Sequence, residues 1–236
     1  ELGLQGTAIP EAFGGVGAGY LPLCLVAQEL GGVLAAVPFS SSVYLATEAI
    51  SCFGSADQKE RYLPKLASGE WVGTLAVSEG PLAPSPNNLT VARSGDTISG
   101  KKLVVPHGLA ANFAVVLVKS GAGTDLVLAG LDGIERAAVE IVDPSIAAAT
   151  IDFAETPCES LGEPGDGWTM LDTLQHRAAV LYAFEQIGGA EQALNMAVAY
   201  AKERFAFGRP IGSFQALKHM MADMYVALKL AESNVR

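Results

Sequence analysis

At 236 residues the chain has enough mass for a large interior and for more than one structural unit. Half of the residues are apolar and 17% are charged, which excludes a mostly disordered chain. Fifteen Lys and Arg against 25 Asp and Glu leave a formal net charge of −10, which argues against general binding to nucleic acid or to anionic membranes but leaves local anion sites open.

Residues 20–67 have helical character. Pro22 suits a first helical turn, Gly31-Gly32 a stop, and Ser55 followed by Gln58 a capping box, so three short helices are expected. After Gly69 the pattern changes to short β-branched runs between turn residues: 71–77, 89–92, 102–105, 113–118, 126–129 and 150–153. Ser94-Gly95-Asp96 reads as a hairpin turn, and a small antiparallel sandwich or barrel is expected. From Gly167 the chain is helical again. A long helix over about 169–205 carries Val180, Phe184, Ile187, Leu194, Val198, Ala201 and Phe205 on one face, interrupted by Glu191, and Gly208 and Pro210 end it. Ser213 is placed to cap a second helix, on which Phe214, Leu217, Met221, Met224, Leu228, Ala231 and Val235 form a bundle seam. The fold class is therefore α+β and multidomain. Residues 1–70 are expected to form the end of an N-terminal helical domain, 71–166 a middle β-domain, and 167–236 the first helices of a C-terminal bundle, an organisation that the family resemblance given below implies.

Cys24, Cys52 and Cys158 are scattered singly, so no disulfide framework or CxxC site is indicated, and a cytoplasmic setting is expected. No apolar run reaches the roughly 18 residues of a membrane span, and no basic-then-apolar leader is present. The chain opens on Glu1-Leu2 without Met and ends on Arg236 in helical period, so truncation at both ends is expected. Gly14-Gly15-Val16-Gly17-Ala18-Gly19 resembles a dinucleotide fingerprint, but Tyr20 stands where the third glycine belongs and no strand precedes it. His107, His176 and His219 lack ligand spacing, so no metal site is expected. The segment from Arg204 to Gln215 is different. It joins a helix end, a breaker turn and a new helix start, and it places the guanidinium groups of Arg204 and Arg209 beside free backbone N–H groups, a seat suited to phosphate or pyrophosphate.

Four stretches, in order, resemble the acyl-CoA dehydrogenase family. Gly6 to Gly15, with Pro10-Glu11 and Gly14-Gly15, is similar to the family's G-x-x-x-P-E-x-x-G-G loop, and Glu29-Leu30-Gly31 follows it. Gly54 to Gly69, with Gln58-Lys59 and Leu63-Pro64, is similar to G-x-x-x-Q-K-x-x-x-L-P-x-x-x-x-G. Arg204 to Gln215 reads R-x-x-F-G-x-x-I-x-x-F-Q and continues into His219 and Ala222-Asp223-Met224. The resemblance implies an FAD-dependent enzyme in which a carboxylate removes the pro-R α-proton of an acyl-CoA thioester and the β-hydrogen leaves as hydride. The product is the trans-2-enoyl-CoA, and the electrons pass to an electron-transfer flavoprotein. A homotetramer or heterotetramer is implied, within fatty acid or sterol side-chain β-oxidation.

By resemblance, Arg204 reaches the FAD pyrophosphate, usually of a neighbouring subunit, and Phe207 and Gln215 are further FAD contacts. Leu75, Val77 and Ser78 correspond to the strand against the isoalloxazine ring. Val104 and Pro106 fall where the family has Trp and Thr of its Trp-Ile-Thr strand, and His107 follows them. Ser85 is the candidate for the CoA-side serine, in a loop where the family's Gly-Ser-Asp is replaced by Pro81 to Pro86. The catalytic base is not assigned. Most members carry it on a late helix beyond Arg236, and a minority at the position of Ala178; Glu185 and Glu191 are read as surface or packing residues. The alternative reading is a non-catalytic subunit that completes the FAD site of a heteromeric dehydrogenase. Oxidase or monooxygenase chemistry on the same scaffold is a third.

Overall fold

The computed structural model describes residues 3–235; Glu1, Leu2 and Arg236, which carry the reading of truncated ends, lie outside the described residues. After two short 3-10 helices, Leu4–Gly6 and Glu11–Phe13, three helical segments follow, as expected. Helix α1 spans Tyr20–Gly32, a π-helical stretch Ser40–Thr47 runs directly into α2 (Glu48–Phe53), and α3 spans Ala56–Ser68. The capping box forms: Ser55 Oγ accepts from Gln58 N at 3.2 Å and Gln58 Oε1 accepts from Ser55 N at 3.0 Å. Gly69, at φ +76°, ends α3 in the left-handed conformation that glycine adopts without strain.

Strands β1 (Gly73–Ala76), β2 (Ala92–Ser94), β3 (Thr97–Pro106), β4 (Phe113–Ser120), β5 (Gly123–Gly130), β6 (Glu135–Val139) and β7 (Ala148–Leu161) make one sheet among the described residues. Pairings β4–β5, β5–β7, β7–β3, β3–β2 and β2–β4 return to their start, so five strands close a small barrel, with β1 added beside β4 and β6 beside β7. The sheet is antiparallel in all but two pairings. β1 runs parallel to β4 over four residues, and the barrel closes through one parallel pair, Ala92 with Lys119. The expected hairpin joins β2 to β3, with Gly95 at φ +59°. Strand β6 has no counterpart in the sequence reading.

Contacts divide the chain into two units, one of residues up to 20 with 36–178, the other of 21–35 with 179 onward. In the first, β4 and β5 are buried on both faces. Ala114, Val116, Val118, Val127 and Ala129 point into the barrel with Ile151 and Phe153. Phe113, Val115, Leu117, Leu126 and Leu128 point the other way and meet Ile50, Leu63 and Leu66 of the helices. Each such side chain contributes about 1.5–3 kcal/mol by leaving water. The next helix, α4 (Gly167–Glu203), is seated by Thr124 and Asp125. Thr124 Oγ1 accepts from Trp168 N at 3.0 Å, while Asp125 accepts from Gly165 N and Ser120 Oγ and pairs with Arg93 at 3.3 Å.

In the second unit α4 continues to a two-residue hairpin, β8 (Phe205–Ala206) and β9 (Arg209–Pro210), and then to α5 (Gln215–Val235). Ile187 and Leu194 of α4 pack with Leu228 of α5, with Val198, Met221 and Val235 around them. The expected faces are only partly covered: Val180, Phe205 and Met224 are exposed, and an open apolar cleft of about 650 Å³ runs between α4 and α5. Ser213 does not cap α5. It ends a short 3-10 turn, and its buried Oγ has no hydrogen-bond partner among the described residues. No described helix is long and apolar enough to cross a membrane.

Helices α1 and α4 approach backbone to backbone at glycines. A Cβ on Gly188 would lie 1.8 Å from Gln28 O, and one on Gly31 would lie 1.9 Å from Glu185 O. Gly188→Ala is therefore expected to force the helices apart and cost about 1–3 kcal/mol, the usual range for overpacking. Urea unfolding checks this, and an unchanged midpoint would contradict the close crossing.

Candidate functional site

In the first unit, the end of β1 and the C-terminal part of β3 are laced together. Leu103 N donates to Ser78 O at 2.8 Å, Lys102 Nζ donates to Val77 O at 3.0 Å, and Thr74 Oγ1 donates to Pro106 O at 2.6 Å. The structure thereby brings Leu75, Val77, Ser78, Val104 and Pro106 onto two adjoining stretches. Leu75 puts its side chain into the core, so its contribution to a surface site is backbone. Ser78 is half-buried. The register of β3 with β7 breaks between Lys102 and Val105, and within that bulge Val104 stands at φ +53°, 48% exposed. Left-handed backbone is strained for a β-branched residue, and bulges of this kind re-aim a side chain out of a sheet.

His107 also has positive φ, at +53°, but its ring is turned inward. It is buried, with Nδ1 3.0 Å from Ser41 Oγ on the π-helical stretch. Arg136 fixes the following loop by donating from Nη1 to the carbonyls of Gly108, Leu109 and Ala111 at 2.9–3.1 Å. Ser85 lies in the loop after β1, where its backbone N–H donates to Asn88 Oδ1 at 2.8 Å. A small cleft of about 190 Å³ under this loop is lined by Val77, Glu79, Leu82, Pro84 and Asn88 among others, and Ser85 is outside that lining.

Two residues at the centre of this region were not singled out by sequence reasoning. Lys102 is fully buried and forms an ion pair with Glu79 at 2.7 Å. Burial pushes the Lys102 ammonium below its ordinary range. Burial pushes the Glu79 carboxyl up, but hydrogen bonds from Lys102 and Thr90 more than reverse this and hold it below its ordinary value. The signal available in sequence was a lysine directly before the apolar run Leu103-Val104-Val105 of β3, with an acid just past β1.

In the second unit the Arg204–Gln215 segment folds on itself. Ile211 N donates to Arg204 O at 2.8 Å, and Phe207 and Gly208 take positive φ at the hairpin tip. Gly212 fits against the end of α4, where a Cβ would lie 2.8 Å from Ala201 O. The Arg209 guanidinium sits 4.2 Å from the centre of the Phe214 ring, and Phe207 packs edge-on to Phe214 at 6.2 Å. Arg204, Phe207 and Gln215 all face solvent, Phe207 with 94% of its surface. An exposed ring next to the Arg209–Phe214 pair has the chemistry to meet a planar anionic ligand or a partner chain.

At the start of α4, Arg177 pairs with the buried Glu48, which also accepts from Cys52 Sγ at 3.3 Å. Burial first, and then the Glu48 charge, push the Cys52 thiol up to about 11, so it is not a nucleophile near neutral pH. Ala178, next to Arg177, is 1% exposed and holds no ionisable group. Glu191 is a surface residue 3.9 Å from Lys229. Among the described residues no cluster of His, Cys, Asp and Glu could hold a metal ion.

Family models for the N-terminal and C-terminal domains of acyl-CoA dehydrogenases match residues 1–70 and 165–236. The mitochondrial isovaleryl-CoA dehydrogenase of Oryza sativa subsp. japonica is 33% identical over 263 residues, covering all of this chain and 62% of the rice protein. A solved structure of a variant of the Tcur3481-Tcur3483 steroid ACAD has 33% identity and a TM-score of 0.83, covering 96% of this chain and 62% of that one. The ChsE4-ChsE5 complex of Mycobacterium tuberculosis has 28% identity and a TM-score of 0.83, with 96% and 62% covered. The chain belongs to the acyl-CoA dehydrogenase family, and it spans about 62% of the length of the relatives it matches. Members of this family bind FAD. The residues present fit that group, because the exposed Arg204 guanidinium is chemically suited to a pyrophosphate and the exposed Phe207 ring to a planar ligand.

Burial holds His107 below its ordinary 6.5, so the unfolded chain takes up a proton at higher pH than the folded one. Its stability contribution is therefore complete above 6.5 and is lost as pH falls below that value. Denaturant titrations at pH 7.5 and 5.5 are expected to show this loss in the native protein and a flatter profile in His107→Asn, since Asn tolerates the left-handed backbone. Equal slopes would contradict the assignment.

Proposed function

We propose that this chain is part of an FAD-dependent acyl-CoA dehydrogenase, which converts an acyl-CoA thioester to the trans-2-enoyl-CoA and passes the electrons to an electron-transfer flavoprotein. The observation that carries the reading is the Arg204–Gln215 turn, which presents a cation, a ring and an amide from one rigid motif. Bound FAD would supply the acceptor for the β-hydrogen as hydride. The chain's own residues bind and orient: Arg204 neutralises pyrophosphate charge, Phe207 and Gln215 cover the dinucleotide, and the Leu75–Ser78 strand end offers backbone groups and the Ser78 hydroxyl to the ring. Val104 supplies an apolar wall and Pro106 no hydroxyl, so this side of the ring is held by shape rather than by a hydrogen bond. Ser85 belongs to the loop on the thioester side. Three free cysteines fit a cytoplasmic setting.

A specific observation favours a second reading. Ala178 leaves the minority base position without a carboxylate, and two of the similar structures carry paired names, Tcur3481-Tcur3483 and ChsE4-ChsE5. On that reading the chain is the partner that completes the FAD site of a heterotetramer, and the base stands on the other subunit. The likeness to a steroid ACAD supports a bulky acyl group, such as a sterol side chain, as substrate.

The test is an absorption spectrum of the purified protein from 300 to 600 nm, before and after anaerobic addition of a panel of acyl-CoA thioesters. Bleaching near 450 nm with one thioester is expected for the dehydrogenase. Bound flavin that never bleaches, or flavin that appears only with a second subunit, selects the partner reading.

A further inference from the structure

Lys102 is 0% exposed, on a strand that otherwise gives its interior positions to apolar side chains. A buried ammonium is tolerated only where its charge and its donors are met. Here Nζ donates to Glu79 Oε1 at 2.7 Å and to Val77 O at 3.0 Å. Glu79, its side chain 10% exposed, spends its other lone pairs on Thr90 N and Thr90 Oγ1, each at 2.6 Å, and on Val91 N at 3.2 Å. Three pieces of chain therefore meet at one ion pair. The first is the end of β1, the second is the loop that leaves at Glu79 and returns at Thr90, and the third is β3 just before it bulges at Val104. The strained Val104 backbone, at φ +53°, persists only where its surroundings fix it. Lys102 on one side and the Leu103 N to Ser78 O bond provide that fixing.

We propose that Lys102 and Glu79 are positioning residues: they hold the Val77–Ser78 strand end and the 80–89 loop in one arrangement, so that a single ion pair sets both the flavin seat and the cleft beneath the loop. The inference rests on the FAD reading above. It assigns a role to two residues outside the FAD contacts proposed above, acting through the Val77 carbonyl and through closure of the loop. Because replacement of a buried ion pair by apolar groups of similar volume is often neutral for stability, the pair can be removed without unfolding the chain.

The test uses the full protein, purified and stripped of flavin, with FAD as the probe. Affinity is read from quenching of flavin fluorescence, the ring's environment from visible circular dichroism, and stability from the melting temperature. Lys102→Met/Glu79→Leu is expected to melt near the parent while binding FAD at least tenfold more weakly and with an altered visible spectrum. A role confined to stability would move the melting temperature alone. Parent-like affinity and spectrum in the double variant overturn the inference and leave the FAD reading standing, whereas a parent protein that takes up no FAD overturns both. If the double variant does not fold, Glu79→Gln decides, because the amide keeps an acceptor for Lys102 but loses the charge: unchanged FAD affinity there overturns the proposal.

Discussion

The first unit depends on two strands that have no solvent face. β4 and β5 send alternate residues into the barrel and out toward the helices, and both sets are sealed from water. That constraint demands a closed ring of strands on one side and a helical layer on the other. Tyr62 meets Trp71 and Phe113 edge-on at the junction of the two, and Trp71 lies tilted to Phe113, with ring centres 4.8–6.1 Å apart. Ring closure at a single pair, Ala92 with Lys119, leaves β1 free to extend beside β4 and end at the rim. The rim is where the backbone is least regular, with the β3 bulge, the positive φ at Val104 and His107, and the loop clasped by Glu79. A rigid interior thus supports an irregular edge, the usual division of labour between core and site.

Much of this was legible from residue pattern. The short β-branched runs at 113–118 and 126–129, the Ser55–Gln58 box and the Ser94-Gly95-Asp96 turn each report a local preference that tertiary packing reinforces. What was not legible depends on long-range pairing. β6 is largely exposed and lacks apolar alternation, although Asp132-Gly133 and Asp143-Pro144 bracket it, so its pairing depends on the edge that β7 offers. Parallel pairing of β1 with β4 is set by chain path and not by composition. The π-helical register of Ser40–Thr47 answers to its docking on β1, where Ser42 Oγ accepts from Gly73 N at 3.1 Å. Ser213 shows the opposite error, a residue type that favours caps placed one position too early, with Phe214 intervening before α5.

The candidate site was legible unevenly for the same reason. Arg204, Phe207 and Gln215 lie within one contiguous motif whose turn residues dictate its shape, and the structure keeps them together on one surface. Leu75 to Ser78 and Val104 to Pro106 are a sheet pairing apart, and the ion pair that joins them, Lys102 with Glu79, looks in sequence like two ordinary surface charges. By resemblance, Val104 and Pro106 stand where the family has a ring and a hydroxyl, and Ala178 stands where a minority of members carry the base; all three side chains are apolar.

The central claim is that the strand-end rim and the Arg204 turn are the two surfaces this chain gives to FAD. Hydrogen exchange followed by mass spectrometry, with and without FAD, tests it most directly. The account predicts added protection in 75–79, 102–108 and 204–215, with the α4–α5 cleft unchanged. Protection absent from these segments, or confined to other parts of the chain, would contradict it.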